Sequence, residues 1–247
     1  MPRMTPFCLP RRLHLLAPLL LCAAVGMPQA GQANSETQKW SVHAFGFKVG
    51  ELDVTAQQTQ STFAGKGSFT TTGLAGALRR IRFTVQSQGA VRGSKIAPSR
   101  YDGFIDTGKR VSATTLTFTG TLPRKTAGAQ TPAASISDKA KHGAVDPMTM
   151  MWLTLRDQEA SQLCTLDQKQ YDGTRLVRIT LTSRQNGDGK VTCAGTYDRI
   201  GGYSAEELAE LKTSPLSIVY TPAGDRWRAS EVHLTSRHGK AKLFRRD

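Results

Sequence analysis

Two short stretches of the sequence, Trp40-Ser41-Val42-His43-Ala44 and Ile81-Arg82-Phe83-Thr84-Val85, decide the fold class. In each, apolar and polar side chains alternate, which is the two-residue period of a β-strand and not the 3.6-residue period of a helix. The pattern predicts a mainly β protein built as a meander of antiparallel strands, with one wet face and one face that buries a core or lines a cavity. The same alternation returns at Leu116 with Phe118, Val177 with Ile179, and Val232 with Leu234.

Turn-forming residues interrupt these runs at intervals, as expected for a chain of short strands. The predicted turns are Ala64–Gly67, Gly89–Gly93, Asp106–Lys109 and Asn186–Gly189. One longer stretch, at about residues 123–141, is rich in Ala, Thr, Ser, Gly and Lys and predicts a long flexible loop. Neither side of this loop alternates helices with strands, so we expect one β-rich domain over residues 34–247.

Two or three short helices are predicted within the sheet. Asp146-Pro147 supplies an N-cap and a proline at the first helical position, and Met148, Met151, Trp152 and Leu155 then share one face. That face is either ordinary packing or a plug on an apolar cavity. Ser204 and Glu207 form a capping box, which predicts a helix over Ala205–Lys212. Thr72–Arg80 is either a helical turn or a loop.

The first 33 residues have the layout of a secretory signal peptide. Arg11 and Arg12 precede an apolar run of about 13 residues, which is shorter than the roughly 20 needed to span a bilayer. Small residues follow, and cleavage after Ala33 places Gly31 three positions before the cut. Cys22 raises the alternative of a lipoprotein, but Leu21 stands where a lipidation signal has Gly, Ala or Ser.

The charge balance is basic, with 33 Lys and Arg against 19 Asp and Glu. Removal of the signal peptide takes away three arginines and no acidic residue, which lowers the formal charge from +14 to +11. Outside the cytoplasm this charge suits anionic lipid headgroups or acidic proteins better than nucleic acid. The basic residues are scattered, so a solvated basic surface is the alternative, and the densest run is Arg237–Arg246.

Cysteine usage points to one disulfide bond. Cys8 and Cys22 leave with the signal peptide, and Cys164 and Cys193 remain. Two thiols in an exported domain most often pair, and their spacing matches neither a Cys-x-x-Cys redox site nor a metal knuckle. The bridge would stabilise the fold by roughly 3 to 4 kcal/mol.

Signatures of catalysis and cofactor binding are missing from the sequence. It has no Gly-x-Ser-x-Gly, His-Glu-x-x-His, phosphate-cradling or dinucleotide motif. Ser204 is better explained as a helix cap, and Asp188 as part of a hairpin turn rather than a calcium loop. His233 and His238 would lie on opposite faces of a strand, which disfavours shared metal coordination. We expect no catalytic residue, no metal, no cofactor and a monomer.

Six short segments follow one another along the chain: Phe47–Leu52, Thr71–Leu74, Pro98–Tyr101, Asp146–Thr149, Tyr171–Arg175 and Cys193–Tyr197. Together they resemble a family of exported Gram-negative proteins known only as a domain of unknown function, and the resemblance covers about Trp40 to Phe244. The resemblance implies a periplasmic protein with a strongly curved antiparallel sheet or partly closed β-barrel. It also implies an architecture similar to LolA/LolB-type lipoprotein carriers, which hold acyl chains in a half-barrel covered by short helices.

Three functions follow as hypotheses. The first is a non-enzymatic periplasmic envelope protein that binds an apolar ligand or a partner protein. The second is a scaffold of a cell-envelope complex, in which the basic stretch Lys240–Arg246 contacts an acidic partner. The third is an envelope hydrolase, which is supported only by the predicted compartment and the basic charge of the protein. Candidate ligand contacts are Phe47, Phe83, Met151 and Trp152, within a wider apolar set of Phe45, Phe69, Phe118 and Met148.

Overall fold

The computed structural model describes residue 1 and residues 34–78, 80–236 and 239–247. Every element below belongs to the unit Gly31–Asp247. The predicted signal peptide, residues 1–33, lies outside the described residues except for Met1, and so does His238. Among the described residues, no helix has the length and hydropathy needed to cross a bilayer.

The described chain is mainly β, as its alternating pattern predicts. Its strands are β1 Asn34–Ala44, β2 Phe47–Gln58, β3 Thr62–Thr71, β4 Arg82–Arg92, β5 Lys95–Asp106, β6 Val111–Thr119, β7 Leu122–Ala127, β8 Leu166–Tyr171, β9 Leu176–Gly187, β10 Lys190–Gly201, β11 Thr213–Ala223, β12 Arg226–Ser236 and β13 Gly239–Arg245. The helices are α1 Gly73–Leu78, α2 Asp138–Lys141, α3 Pro147–Leu155 and α4 Ala205–Glu210, with one 3₁₀ turn at Ala160–Gln162.

The strands form one antiparallel sheet in which neighbours in sequence are neighbours in space. The exceptions are β7 and β8, which follow each other in sequence without pairing, and β1 and β13, which do pair, with Trp40 opposite Arg245 and Val42 opposite Leu243. This pairing joins the two ends of the described β region. The sheet is therefore nearly closed and barrel-shaped, with β7 and β8 as its two edges.

A short stretch of chain bridges the seam between β7 and β8. Gly143 donates its backbone N–H to Thr121, in the β6–β7 turn, over 2.8 Å. Two residues later Val145 donates to Lys169 on β8, and Tyr171 donates back to Val145. The edge strand β8 is thus covered by the chain itself, which protects its free hydrogen-bonding groups.

Helix α3 lies inside the barrel. Trp152 Nε1 donates to Gln58 on β2 over 3.1 Å, and Gln38 on β1 donates to the Leu155 carbonyl over 3.0 Å. Tyr220, on β11, reaches the Thr154 carbonyl at 3.4 Å. Because β13 and β12 separate β11 from the neighbouring strands β1 and β2, a helix that touches all three lies inside the curve of the sheet. The predicted helix start is confirmed, with Asp146 as the N-cap.

The predicted turn at Ala64–Gly67 is wrong, because β3 runs straight through it. The two glycines of this stretch make room for α3. A Cβ atom on Gly65 would lie 3.0 Å from Met148 Cε, and one on Gly67 would lie 3.0 Å from Met151 Sδ. The glycines therefore mark a close approach of helix to sheet, which is a recognised use of glycine within a strand.

Other local predictions stand with small changes. The turn before β10 is confirmed, with Asp188 and Gly189 both at positive φ. The capping box of α4 is confirmed, but the helix ends at Glu210, two residues early, because β11 begins at Thr213. The Thr72–Arg80 region contains the short helix α1.

The predicted loop at about 123–141 is wrong at both ends. Strand β7 pairs with β6 from Leu122 onward, and helix α2 occupies Asp138–Lys141 with Ser137 as its N-cap. The pattern hides β7 because it is an edge strand in which Pro123 is the buried residue. Residues 128–137 remain irregular.

Strand direction divides the turns between two rims. The rim that carries residues 59–61, 93–94, 120–121, 188–189 and 224–225 is called the α3 rim here, because the C-terminus of α3 points to it. The opposite rim, called the α4 rim, carries α1, α4 and the β1–β2 turn at residues 45–46.

Candidate functional site

A cavity of about 580 Å³ opens at the α3 rim and is called the end cavity here. The β4–β5 and β6–β7 turns, the bridging stretch 143–145, the C-terminus of α3 and the start of β8 surround it. Its volume falls in the range of about 300–1,000 Å³ that small-molecule sites occupy. Most of its wall is apolar, from Ile96, Pro98, Phe118, Val145, Leu153, Leu166 and Leu181.

Arg156 stands where α3 ends and lines this cavity. Its backbone N–H closes the last turn of the helix on the Trp152 carbonyl at 3.0 Å. Within the described residues its side chain makes no hydrogen bond or ion pair, and Nε is buried without a partner. Burial, and then the nearby charge of Arg226, hold the pKa of the Arg156 guanidinium below its ordinary value. Tyr220 and Glu36 oppose this lowering of the pKa, but neither forms a hydrogen bond or an ion pair with Arg156, which is a partly buried cation without a direct partner in the described structure.

Two carboxylates that line a cleft together with Arg156 are already paired with another arginine. Arg245, whose side chain is only 4% exposed, lies 2.6 Å from Asp157 and 3.2 Å from Glu36. Asp247 is a third partner at 3.2 Å. These three carboxylates form one cluster around Arg245, which explains why the residue next to Arg156 in sequence does not pair with it.

A second depression, of about 650 Å³, lies on the other side of Arg156 and is called the side cleft here. Its lining is mostly polar and comprises Glu36, Gln58, Thr59, Gln60, Val91, Gly93, Trp152, Arg156, Asp157 and Arg226. Arg156 lines both spaces. The guanidinium therefore stands at the boundary between an apolar space and a polar one.

The predicted disulfide bond between Cys164 and Cys193 is confirmed, with a Cα–Cα separation of 5.0 Å. Cys164 lines the end cavity and follows the 3₁₀ turn, while Cys193 is fully buried on β10. The bond ties the chain beyond α3 to the barrel wall. It therefore holds one side of the end cavity in place.

The N-terminal end of α3 carries a buried carboxylate. Asp146 accepts hydrogen bonds from the Thr149 backbone N–H at 2.9 Å, from the Thr149 hydroxyl at 2.7 Å and from Ser87 Oγ at 2.8 Å. Burial raises the pKa of this carboxyl, against the lowering effect of the bonds from Thr149 and Ser87. The network fixes the start of α3 on the β4 wall.

The four candidate ligand contacts separate in space. Trp152 is buried and lines the side cleft, and Met151 packs against Gly67 of β3. Phe83 is half-buried and stacks on Phe69 with ring centroids 5.5 Å apart. Phe47 is 75% exposed at the α4 rim, as is its neighbour Phe45 at 74%. Of the wider set, Phe118 lines the end cavity, and Met148, which belongs to α3, is fully buried.

Sequence reasoning missed Arg156. A cation at the C-terminus of a helix is common because it complements the helix dipole. Its position after Leu155 therefore carries no special signal. What sets it apart is the occupation of Asp157 and Glu36 by Arg245, and contacts over such sequence distances leave no local pattern.

The described structure can also be compared with the hydrolase and scaffold hypotheses. His43 Nε2 lies 3.2 Å from Ser41 Oγ, and His233 Nε2 lies 3.0 Å from Glu231, but neither pair extends into a serine–histidine–carboxylate chain in the described structure. Across the described residues no three of His, Cys, Asp and Glu are placed to share a metal ion. The basic stretch proposed for a scaffold lies mostly in β13, with Arg245 turned into its own carboxylate cluster.

Comparisons with protein-family models, with curated proteins and with solved structures find no match to this chain.

Proposed function

We propose that the protein is a non-enzymatic periplasmic protein of the cell envelope that binds a small apolar ligand in the end cavity. The observation that carries this proposal is a space of about 580 Å³ with an apolar wall inside a barrel whose remaining interior is packed around α3. Apolar pockets of this size that hold a few polar groups are the usual form of a small-molecule site.

The filled interior limits the size of the ligand. Met148, Met150, Trp152 and Leu155 on α3 are buried in the barrel core. The helix thus occupies the space in which a larger carrier would hold several acyl chains. The end cavity is what remains, and it suits one chain or one compact apolar group.

The location is also part of the proposal. The disulfide between Cys164 and Cys193 suits an oxidising compartment, and the basic residues before the apolar run of the first 33 positions suit export. Fractionation of cells followed by N-terminal sequencing tests it, with a mature start at Asn34 expected. Recovery of the unprocessed chain from the cytoplasm would contradict it.

A direct test uses the neutral dye Nile red, whose fluorescence rises in apolar surroundings. The variant Leu153→Trp places a larger side chain in the end cavity, and Val111→Trp makes the same type of change at an exposed position on the α4 rim. We expect Leu153→Trp to weaken dye binding by at least about tenfold and Val111→Trp to change it by less than about twofold.

Native mass spectrometry of the protein purified from cells complements the dye, and an additional mass released by organic solvent would identify an endogenous ligand. If the wild-type protein bound no dye and carried no ligand, the proposal would fail. It would also fail if both tryptophan variants changed binding equally, because the dye would then lie elsewhere.

A further inference from the structure

Arg156 adds a positive charge to the lining of the end cavity. Its side chain is a partly buried cation with no hydrogen bond or ion pair among the described residues, and it lines the cavity together with the apolar wall. Buried charges in proteins are normally paired, because an unpaired one loses its hydration without compensation. A group that the chain leaves unpaired beside a cavity is placed to receive its partner from a ligand.

The charges around the cavity agree in sign. Arg92 and Lys95 also line it, both at exposed positions on the β4–β5 side. The acidic residue in the lining is Asp167, and Arg178 already binds it through two hydrogen bonds, the longer of 2.6 Å. The field inside the cavity is therefore positive, which favours an anion and disfavours a cation.

The surroundings of Arg156 give this anion a second property. On one side of the guanidinium lies the apolar wall with Leu153 and Phe118, and on the other lies the polar side cleft with Gln58 and Thr59. A molecule that uses both sides must have an apolar part and a charged end. A guanidinium also binds a carboxylate through two parallel hydrogen bonds, a match that lysine lacks.

We propose that the ligand of the end cavity is a single-chain amphiphile with an anionic headgroup of the carboxylate type, and that Arg156 binds this headgroup. The proposal rests on the proposed function, because it assumes that the cavity holds an apolar chain. The chain lies against the apolar wall, and the headgroup lies at the border with the side cleft. Arg156 acts as a binding residue, and no covalent step is involved.

The test compares three probes with twelve carbons in the chain and an anionic, a neutral or a cationic headgroup. Dodecanoate and dodecyltrimethylammonium, below their micelle concentrations, and 1-dodecanol, below its solubility limit, are each used to displace Nile red from the full-length protein. We expect dodecanoate to bind at least about tenfold more tightly than dodecanol, a difference of about 1.4 kcal/mol, and the ammonium probe to bind most weakly.

Variants of the two lining arginines assign the preference to one residue. In Arg156→Met the preference of dodecanoate over dodecanol should fall to less than about twofold, while binding of dodecanol itself persists. Arg156→Lys should keep part of the preference, because it retains the charge. Arg92→Met removes a lining cation that is exposed and screened by solvent, so it should lower the preference by less than about twofold.

The outcomes separate this inference from the proposed function. If dodecanoate and dodecanol bound the wild-type protein equally, the cavity would hold apolar ligands but Arg156 would not anchor a headgroup. If the preference survived in Arg156→Met, or vanished in Arg92→Met, its assignment to Arg156 would be wrong. If none of the three probes displaced the dye, the proposed function itself would fall.

Discussion

The two ends of α3 carry opposite charges, and the fold treats them differently. At the N-terminal end Asp146 is fully buried and accepts three hydrogen bonds from Ser87 and Thr149. At the C-terminal end the Arg156 side chain has no partner among the described residues. Both charges have the sign that the helix dipole favours, so the dipole does not explain the difference.

The difference separates a structural charge from one that is available to a ligand. Hydrogen bonds from within the protein compensate the buried carboxyl of Asp146, since each of them comes from α3 or from β4. Arg156 is desolvated by the same barrel, yet the carboxylates within its neighbourhood belong to Arg245. Buried polar groups without partners are rare in native proteins, and each calls for an explanation such as an external partner.

The largest expected effect concerns the covalent bond that holds the Arg156 end. Replacing Cys164 and Cys193 together by serine should lower the free energy of unfolding by about 3 to 4 kcal/mol, because the unfolded chain regains the entropy of a closed loop. Nile red binding should weaken as well, since Cys164 lines the end cavity. Urea denaturation monitored by tryptophan fluorescence measures the first effect.

The wild-type protein treated with a reductant is the control for this change. It should unfold at the same urea concentration as the double serine variant. Equal stability of the oxidised wild-type protein and the variant would show that hydrogen bonds alone secure this end of α3, and the contrast with the Asp146 end would then be smaller than the structure suggests.

The next effect concerns the hydrogen-bonded end. Asp146→Ala should lower the free energy of unfolding by about 3 kcal/mol, because it removes an N-cap worth about 1 kcal/mol and leaves the buried hydroxyls of Ser87 and Thr149 without their acceptor. Ser204→Ala removes a cap from the more exposed helix α4 and should cost about 1 kcal/mol. Similar losses in the two variants would contradict a buried network at Asp146.

The N-terminal end of α3 could be predicted from the sequence. Asp146-Pro147 marks the helix start through local chemistry, and the alternation of apolar and polar residues predicts the strands that surround it. Ser204 with Glu207 marks α4 in the same way. These features depend on residues a few positions apart, and the strand pattern depends only on which face of the sheet is buried.

The other end of α3 was beyond sequence reasoning for a physical reason. The state of Arg156 depends on Glu36 and Arg245, which are 209 positions apart and meet only when β1 pairs with β13. The end cavity likewise joins turns from distant parts of the chain. The turn predicted at Ala64–Gly67 is wrong for the same reason. The glycines of β3 leave space for Met148 and Met151, which lie on a helix about 80 residues later in the sequence.

A smaller expected effect is the dependence of protein stability on pH that comes from Asp146. Because burial raises the pKa of Asp146, the folded protein holds this proton more tightly than the unfolded chain does. The contribution of this group to stability is therefore greatest below the ordinary carboxyl pKa of about 3.9 and declines as the pH rises through the raised folded value. Asp146→Asn cannot titrate at this position.

Urea denaturation of both proteins from about pH 7 to about pH 4 measures this contribution. The stability of the wild-type protein minus that of Asp146→Asn should grow as the pH falls, by no more than about 1.4 kcal/mol per pH unit. For Asp167→Asn the same difference should not grow, because the hydrogen bond from Arg178 lowers the pKa of Asp167. Growth in both series would point to a global effect of acid.

The smallest effect has the opposite sign. Arg156→Met should raise the free energy of unfolding by about 1 kcal/mol in the absence of ligand, because an apolar side chain of similar length replaces a desolvated charge that has no partner. Arg175→Met is the matched control, since Arg175 pairs with Glu207 at 2.6 Å and stacks on Tyr203. It should lower stability by about 1 kcal/mol, as expected for a partly exposed ion pair with a cation–π contact. If Arg156→Met destabilised the protein as Arg175→Met does, Arg156 would have a partner within the chain, and the two ends of α3 would be alike.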